Sequence, residues 1–69
     1  MYELVDLNTG NWVGAYPTKE EALRAVADTI RRYGEDAVVT LALGRFERGR
    51  QGEAIAEGPK LAEMALAAA

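Results

Sequence analysis

The segment Thr18-Lys19-Glu20-Glu21 constrains the fold of this chain more than any other feature, because it defines where a helix begins. Its residue types and spacing are those of a capping box, in which the Thr18 side-chain oxygen accepts from the N–H of Glu21 and the glutamate side chain reaches back. Pro17, directly before it, cannot donate to a β-ladder and biases Tyr16 toward extended geometry. We therefore expect a strand that ends at Tyr16 and a helix directly after Thr18.

The predicted helix has a single apolar face. From Lys19 to about Tyr33, apolar residues recur three and four positions apart, while charged residues fill the other side. The acidic start and basic end suit the helix dipole, and Gly34 stands where helices often end in a left-handed residue. The residues expected to be buried are Ala22, Leu23, Val26, Ala27, Ile30 and Tyr33.

Four segments are predicted to be strands, two on each side of this helix. Residues 2–7 and 12–16 are rich in large apolar and β-branched residues, and turn-forming residues join them, which indicates a hairpin. Residues 36–44 are apolar on both alternations, which is typical of a strand in the middle of a sheet. Residues 53–57 carry flanking glutamates and one large apolar residue, which is typical of an edge strand.

A second helix is predicted to begin at Gly58-Pro59, because proline is tolerated in the first helical turn. The resulting order ββαββα predicts an α+β fold, with a four-stranded, mainly antiparallel sheet and two helices packed on it. Residues 1–69 should form a single domain of two hairpin–helix units, residues 1–34 and 35–69. An ancient duplication and independent convergence on the same unit both remain open.

The composition excludes most kinds of catalytic site. The 69 residues contain no Cys, His or Ser, so disulfides, Cys or His metal ligands and Ser–His or Cys–His nucleophiles are all excluded. The carboxylate pairs remain as acid–base candidates, but carboxylates of this kind are mostly solvated. We therefore predict that the protein is not an enzyme and takes no cofactor and no metal. The pairs are Glu3 with Asp6, Glu35 with Asp36, and Glu53 with Glu57.

Charge and hydropathy limit the partners further. The net charge is −3, which argues against nucleic-acid binding through the whole surface. The longest uninterrupted apolar stretch, residues 64–69, is far shorter than the roughly 20 residues that cross a bilayer. We expect a cytoplasmic protein without a targeting segment or a membrane partner.

A basic loop between the last two strands is the candidate nucleic-acid site. A protruding hairpin with arginines and an aromatic residue can contact phosphates and stack on bases, and Arg24, Arg31 and Arg32 would extend it if the helix end lies nearby. The loop also resembles the GxxG loop of KH domains, through Gly49-Arg50-Gln51-Gly52 followed by Ile55. A solubilising loop is the alternative interpretation. The candidate residues are Arg45, Phe46, Arg48 and Arg50.

Small size favours self-association. A chain this short buries only about 60% of its unfolded surface, and it has no disulfide or metal to compensate. We therefore predict a homodimer or a larger ring of identical chains. Trp12 and Tyr16 are expected to share a strand face, as an aromatic platform for a partner or ligand, or as part of the core or of a subunit interface. The candidate interface residues are Trp12, Tyr16, Leu61, Met64 and Leu66, the last of which falls off the apolar stripe of the second helix.

The start of the first helix carries a family resemblance. The run Thr18-Lys19-Glu20-Glu21-Ala22-Leu23, continuing to Ile30, resembles the T-x-E-E-A-L…I helix start of HicB-type antitoxins. That resemblance implies a strand pair leading into the helix, binding to a small ribonuclease toxin, and dimers. The whole chain, especially residues 2–23, also resembles short bacterial proteins to which no function is assigned.

These observations together predict a non-catalytic small bacterial domain that self-associates and binds a macromolecular partner, in the manner of an antitoxin, adaptor or regulator. The partners expected are a second copy of the chain and another protein. The alternative prediction is a nucleic-acid-binding module that uses the hairpin of residues 45–50.

Overall fold

The protein folds as a sheet with two helices on one side. In a computed structural model that describes residues 1–45 and 52–68, all strand pairs are antiparallel and the strand order is β2-β1-β3-β4. This arrangement confirms the predicted α+β fold of order ββαββα. The elements are β1 (Tyr2–Asp6), β2 (Trp12–Tyr16), α1 (Lys19–Tyr33), a 3-10 turn (Glu35–Val38), β3 (Leu41–Arg45), β4 (Ala54–Glu57) and α2 (Gly58–Ala68).

The core lies between the sheet and the two helices. Helix α1 lies above β1 and β2, helix α2 lies above β3 and β4, and the helices pack against each other. Among the described residues, every buried side chain is apolar, so hydrophobic burial holds the layers together. The buried residues are Leu4, Ala22, Leu23, Val26, Ala27, Val38, Leu41, Leu43, Leu61, Ala62 and Ala65. None of the helices in the described part of the chain is long and apolar enough to cross a membrane.

The capping residues start α1 as predicted. The Glu21 backbone N–H donates to Thr18 Oγ1 at 3.1 Å, and Thr18 itself has extended backbone angles. The Glu21 carboxylate reaches back to the Thr18 hydroxyl, with 3.3 Å between the two oxygens. At the other end, Gly34 has a positive φ, and its N–H donates to the Ile30 carbonyl at 2.7 Å.

The prediction of one strand over residues 36–44 is wrong in its first half. The segment Glu35–Val38 forms a 3-10 turn, and β3 begins only at Leu41. The apolar pattern has a different cause from the one inferred: Val38 is fully buried beside both helices, whereas Val39 is 52% exposed. The predicted central position of β3 and edge position of β4 are both confirmed.

The ends of the helices show which apolar residues lie outside the core. Tyr33 was expected on the buried face of α1 but is 73% exposed, because the last turn of the helix extends past the core beyond Ile30. In α2, Leu61 is completely buried and Met64 packs against the core from a half-buried position. Leu66 faces away from the core, as its place off the apolar stripe predicts.

Candidate binding surfaces

One face of the sheet has no covering layer in the described part of the chain. Because both helices lie on the same side, side chains of alternate strand positions are left on the other side, which we call the open face. Its centre is a shallow concavity of about 280 Å³ whose floor is apolar. The open face is formed by Glu3, Val5, Leu7, Trp12, Ala15, Ala42, Gly44, Ala54 and Glu57.

A bulge in β2 brings Trp12 to the open face. Leu4 pairs with Gly14 but Val5 pairs with Trp12, so Val13 is an extra residue in the strand. The extra residue turns Trp12 to the side of Val5, away from the core side. The expectation that Trp12 and Tyr16 share a strand face is therefore wrong.

Two large apolar side chains are exposed at one end of the sheet, Trp12 beside the bulge and Leu7 directly after β1. Trp12 is 60% exposed and Leu7, which also lies on the open face, is 56% exposed. Contiguous exposed apolar groups of this kind are typical of interaction sites. Among the described residues that line the concavity, Glu3, Glu53 and Glu57 are acidic and Arg45 is basic, so this part of the border has a net negative charge.

Tyr16 lies on the core side at the edge of the sheet. Its ring passes over Gly14, so that a Cβ built at Gly14 would lie 2.9 Å from the Tyr16 hydroxyl oxygen. The tyrosine is half-buried and packs against the core, closing it at the β2 edge.

A second groove runs beside Tyr16 along α1. It has a volume of about 400 Å³ and is lined by Tyr16, Ala25 and four charged residues of the helix. We call these four residues, Glu21, Arg24, Asp28 and Arg31, the α1 charged stripe. Within the stripe, Arg31 Nη2 lies 3.1 Å from Asp28 Oδ1, and Arg32 Nε, just outside it, lies 3.1 Å from Asp28 Oδ2.

Two of the three helix arginines predicted to extend the basic patch, Arg31 and Arg32, lie far from Arg45. Arg45 ends β3 opposite Tyr2, at the end of the sheet where α1 begins. The 15 residues of α1 then run away for about 22 Å, so Arg31 and Arg32 lie at the opposite end. Phe46, Arg48 and Arg50, with most of the GxxG segment, lie outside the described residues.

Two further candidate residues, Asp6 and Leu61, contribute to the fold. Asp6 ends the first strand by accepting the N–H groups of Asn8 and Thr9 on Oδ1, at 2.9 and 3.4 Å. The prediction of Leu61 as an interface residue is wrong, because its side chain is completely buried in the core. Over residues 1–45 and 52–68, no three acidic side chains are grouped as metal ligands would be.

Comparison of the chain with protein-family models, with curated proteins and with solved structures finds no match. The resemblance to HicB-type antitoxins thus stays a prediction from residues 18–30.

Proposed function

We propose that this protein is a non-catalytic binding domain that self-associates and docks another protein on its open face, in the manner of an antitoxin, adaptor or regulator. The observation that carries the proposal is the one-sided cover of the sheet, which leaves Val5, Leu7 and Trp12 facing outward. Its resemblance to short bacterial proteins suggests the bacterial cytoplasm as its place of action.

Trp12 gives the open face its capacity to bind. A tryptophan side chain buries about 150–250 Å² when it is covered, and at 60% exposure about three fifths of that area remains to be removed from water. At about 25 cal/mol per Å², covering it contributes on the order of 2–4 kcal/mol to association. Exposed aromatic anchors of this kind dominate many protein interfaces.

The acidic border determines the chemistry of the partner. Within residues 1–45 and 52–68, Glu3, Glu53 and Glu57 line the concavity together with one cation, Arg45. Because complementary charges at the rim of an interface select the partner and speed its association, the best ligand is an apolar segment flanked by lysine or arginine. The same carboxylates repel phosphate groups, which favours a protein partner over a nucleic acid on this face.

The test combines capture with mutation. The wild-type protein and the Trp12→Ala variant are used to capture partners from the native cell, and each captured protein is then purified and titrated. We expect Trp12→Ala to weaken binding at least tenfold, whereas the Tyr33→Ala control, which removes an exposed aromatic side chain from the end of α1, leaves affinity unchanged. Equal affinity of wild type and Trp12→Ala for every partner would refute the assignment of the open face.

A salt titration tests the nucleic-acid alternative. Mixed single-stranded DNA and RNA are titrated with the protein at increasing salt, using wild type and Arg45→Ala. The proposal predicts no salt-dependent binding. Salt-dependent binding that weakens in Arg45→Ala would favour the nucleic-acid module instead.

A further inference from the structure

We infer that the second copy of the chain docks at the β2 edge, pairing β2 with β2 of its partner and the α1 charged stripe with the partner's stripe around a two-fold axis. The inference rests on the self-association in the proposed function and identifies the surface that carries it.

The two edges of the sheet differ in their protection against strand pairing. The edge strand β4 has four residues, follows Glu53 and ends in Glu57, and the two charges discourage another strand from pairing there. The edge strand β2 has the sequence Trp-Val-Gly-Ala-Tyr, with no charged residue and no proline within it. The bulge at Val13 disturbs the ladder locally, so the pairing surface is the regular part of the strand, residues 14–16. The outward backbone groups there can pair with a second β2 without bringing like charges together.

The charges beside the β2 edge are complementary to themselves. In the α1 charged stripe, Glu21 and Arg31 lie equally far before and after Val26, and so do Arg24 and Asp28. A two-fold axis near Val26 places two antiparallel copies of α1 with Glu21 facing the partner's Arg31, and Arg24 facing the partner's Asp28. Every residue of the stripe then meets an opposite charge, which is the condition for a self-complementary two-fold interface.

The spacing of the layers allows both contacts at once. Helix α1 lies above β1 and β2, and adjacent strands are about 4.8 Å apart. If β2 pairs with its copy, the two α1 helices lie roughly 10 Å apart, the usual distance between packed helices. The partner's helix then covers Tyr16 and fills the groove of about 400 Å³.

The alternative dimer, open face against open face, is disfavoured by charge. It brings Glu3 and Glu57 of both copies into one desolvated interface, where like charges cost free energy. The β2 edge carries no such conflict. The open face is consequently left for the protein partner, on both halves of a continuous eight-stranded sheet.

Charge reversal tests the helix contact. In a dimer of Arg24→Glu, each new glutamate faces the partner's Asp28, so both contacts pair two negative charges. In a dimer of Asp28→Arg, each new arginine faces the partner's Arg24, so both contacts pair two positive charges. Each variant alone should raise the dimer dissociation constant by at least about tenfold, because two attractive pairs become repulsive. Mixed together, the two variants restore opposite charges at both contacts and should form a heterodimer, measured by sedimentation and native mass spectrometry.

The control is Lys60→Glu, which makes the same change in charge on α2 and should leave the dimer intact. A wild-type protein that sediments as a monomer at micromolar concentration would overturn the self-association of the proposed function and this inference together. A wild-type dimer that Arg24→Glu leaves intact, or a mixture that forms no heterodimer, would overturn the inference alone.

A second pair of variants tests the strand contact and does not touch the stripe. Val13, in β2, and Val39, at the end of the 3-10 turn, are exposed to similar extents, 50% and 52%. Val13→Lys places a lysine on the bare edge and should convert the dimer to a folded monomer, whereas Val39→Lys should remain dimeric. A dimeric Val13→Lys would contradict pairing at β2.

Discussion

The junction of β4 and α2 makes a quantitative test of the fold possible. Strand β4 ends at Glu57 and α2 begins at the next residue, Gly58, so the chain reverses without a loop. Gly58 is buried, has φ of +57°, and a Cβ built on it would lie 3.1 Å from the carbonyl oxygen of Val39. Gly58→Ala therefore combines an unfavourable backbone angle with a close contact to a backbone atom that cannot rotate away.

Gly10 separates the two effects. It has a similar φ, +76°, but no atom lies within 4 Å of a Cβ built there. Gly10→Ala should cost about 1 kcal/mol of unfolding free energy, from the left-handed backbone alone. Gly58→Ala should cost about 2–3 kcal/mol, because the contact with the Val39 oxygen is added.

Thermal and urea unfolding, followed by circular dichroism at one fixed protein concentration, measure the difference. For a domain of this size each 1 kcal/mol corresponds to about 4–8 °C, so Gly58→Ala should lower Tm by roughly 10–20 °C. Gly10→Ala should lower it by about a third to a half as much. Equal losses in the two variants would refute the close packing of α2 against Val39.

Two other substitutions test the elements that hold the sheet and helices. Thr18→Ala removes the oxygen that accepts a hydrogen bond from the Glu21 N–H and should lower the free energy of unfolding by about 1 kcal/mol. Thr18→Ser keeps the hydroxyl and should keep most of the wild-type stability. A urea midpoint that Thr18→Ala leaves unchanged would contradict the cap. Leu43→Ala, in the completely buried centre of β3, should cost about 2–5 kcal/mol, whereas Leu66→Ala should cost less than about 0.5 kcal/mol. Similar midpoints for the two leucine variants would contradict the assigned core.

Features that depend on neighbours in the sequence could be predicted. The bounds of α1 follow from Pro17, from the Thr18 cap and from the spacing of its apolar residues, all of which act within one or two turns. The edge position of β4 follows from its glutamates. The sequence pattern therefore indicates the two helices and the four strands, but not the 3-10 turn before β3.

Features that depend on distant contacts could not be predicted. Val38 and Val39 are both β-branched and favour a strand. The chain turns there instead, because the Val38 side chain is buried against both helices. The bulge at Val13, which moves Trp12 to the open face, exists only in relation to the register of β1. The sequence predicts that the residues of the α1 charged stripe lie on the exposed side of the helix. Their position beside the β2 edge depends on the strand order, which the sequence does not determine.

Trp12 is the only tryptophan in the chain and is exposed on the open face. Its fluorescence therefore reports directly whether the protein partner covers this face. The most direct measurement is acrylamide quenching of its fluorescence, in the protein alone and in the complex with the purified native partner. The proposed function predicts easily quenched emission in the free protein, and emission that is blue-shifted and protected from quenching in the complex. A complex in which Trp12 stays as exposed to acrylamide as in the free protein would contradict it.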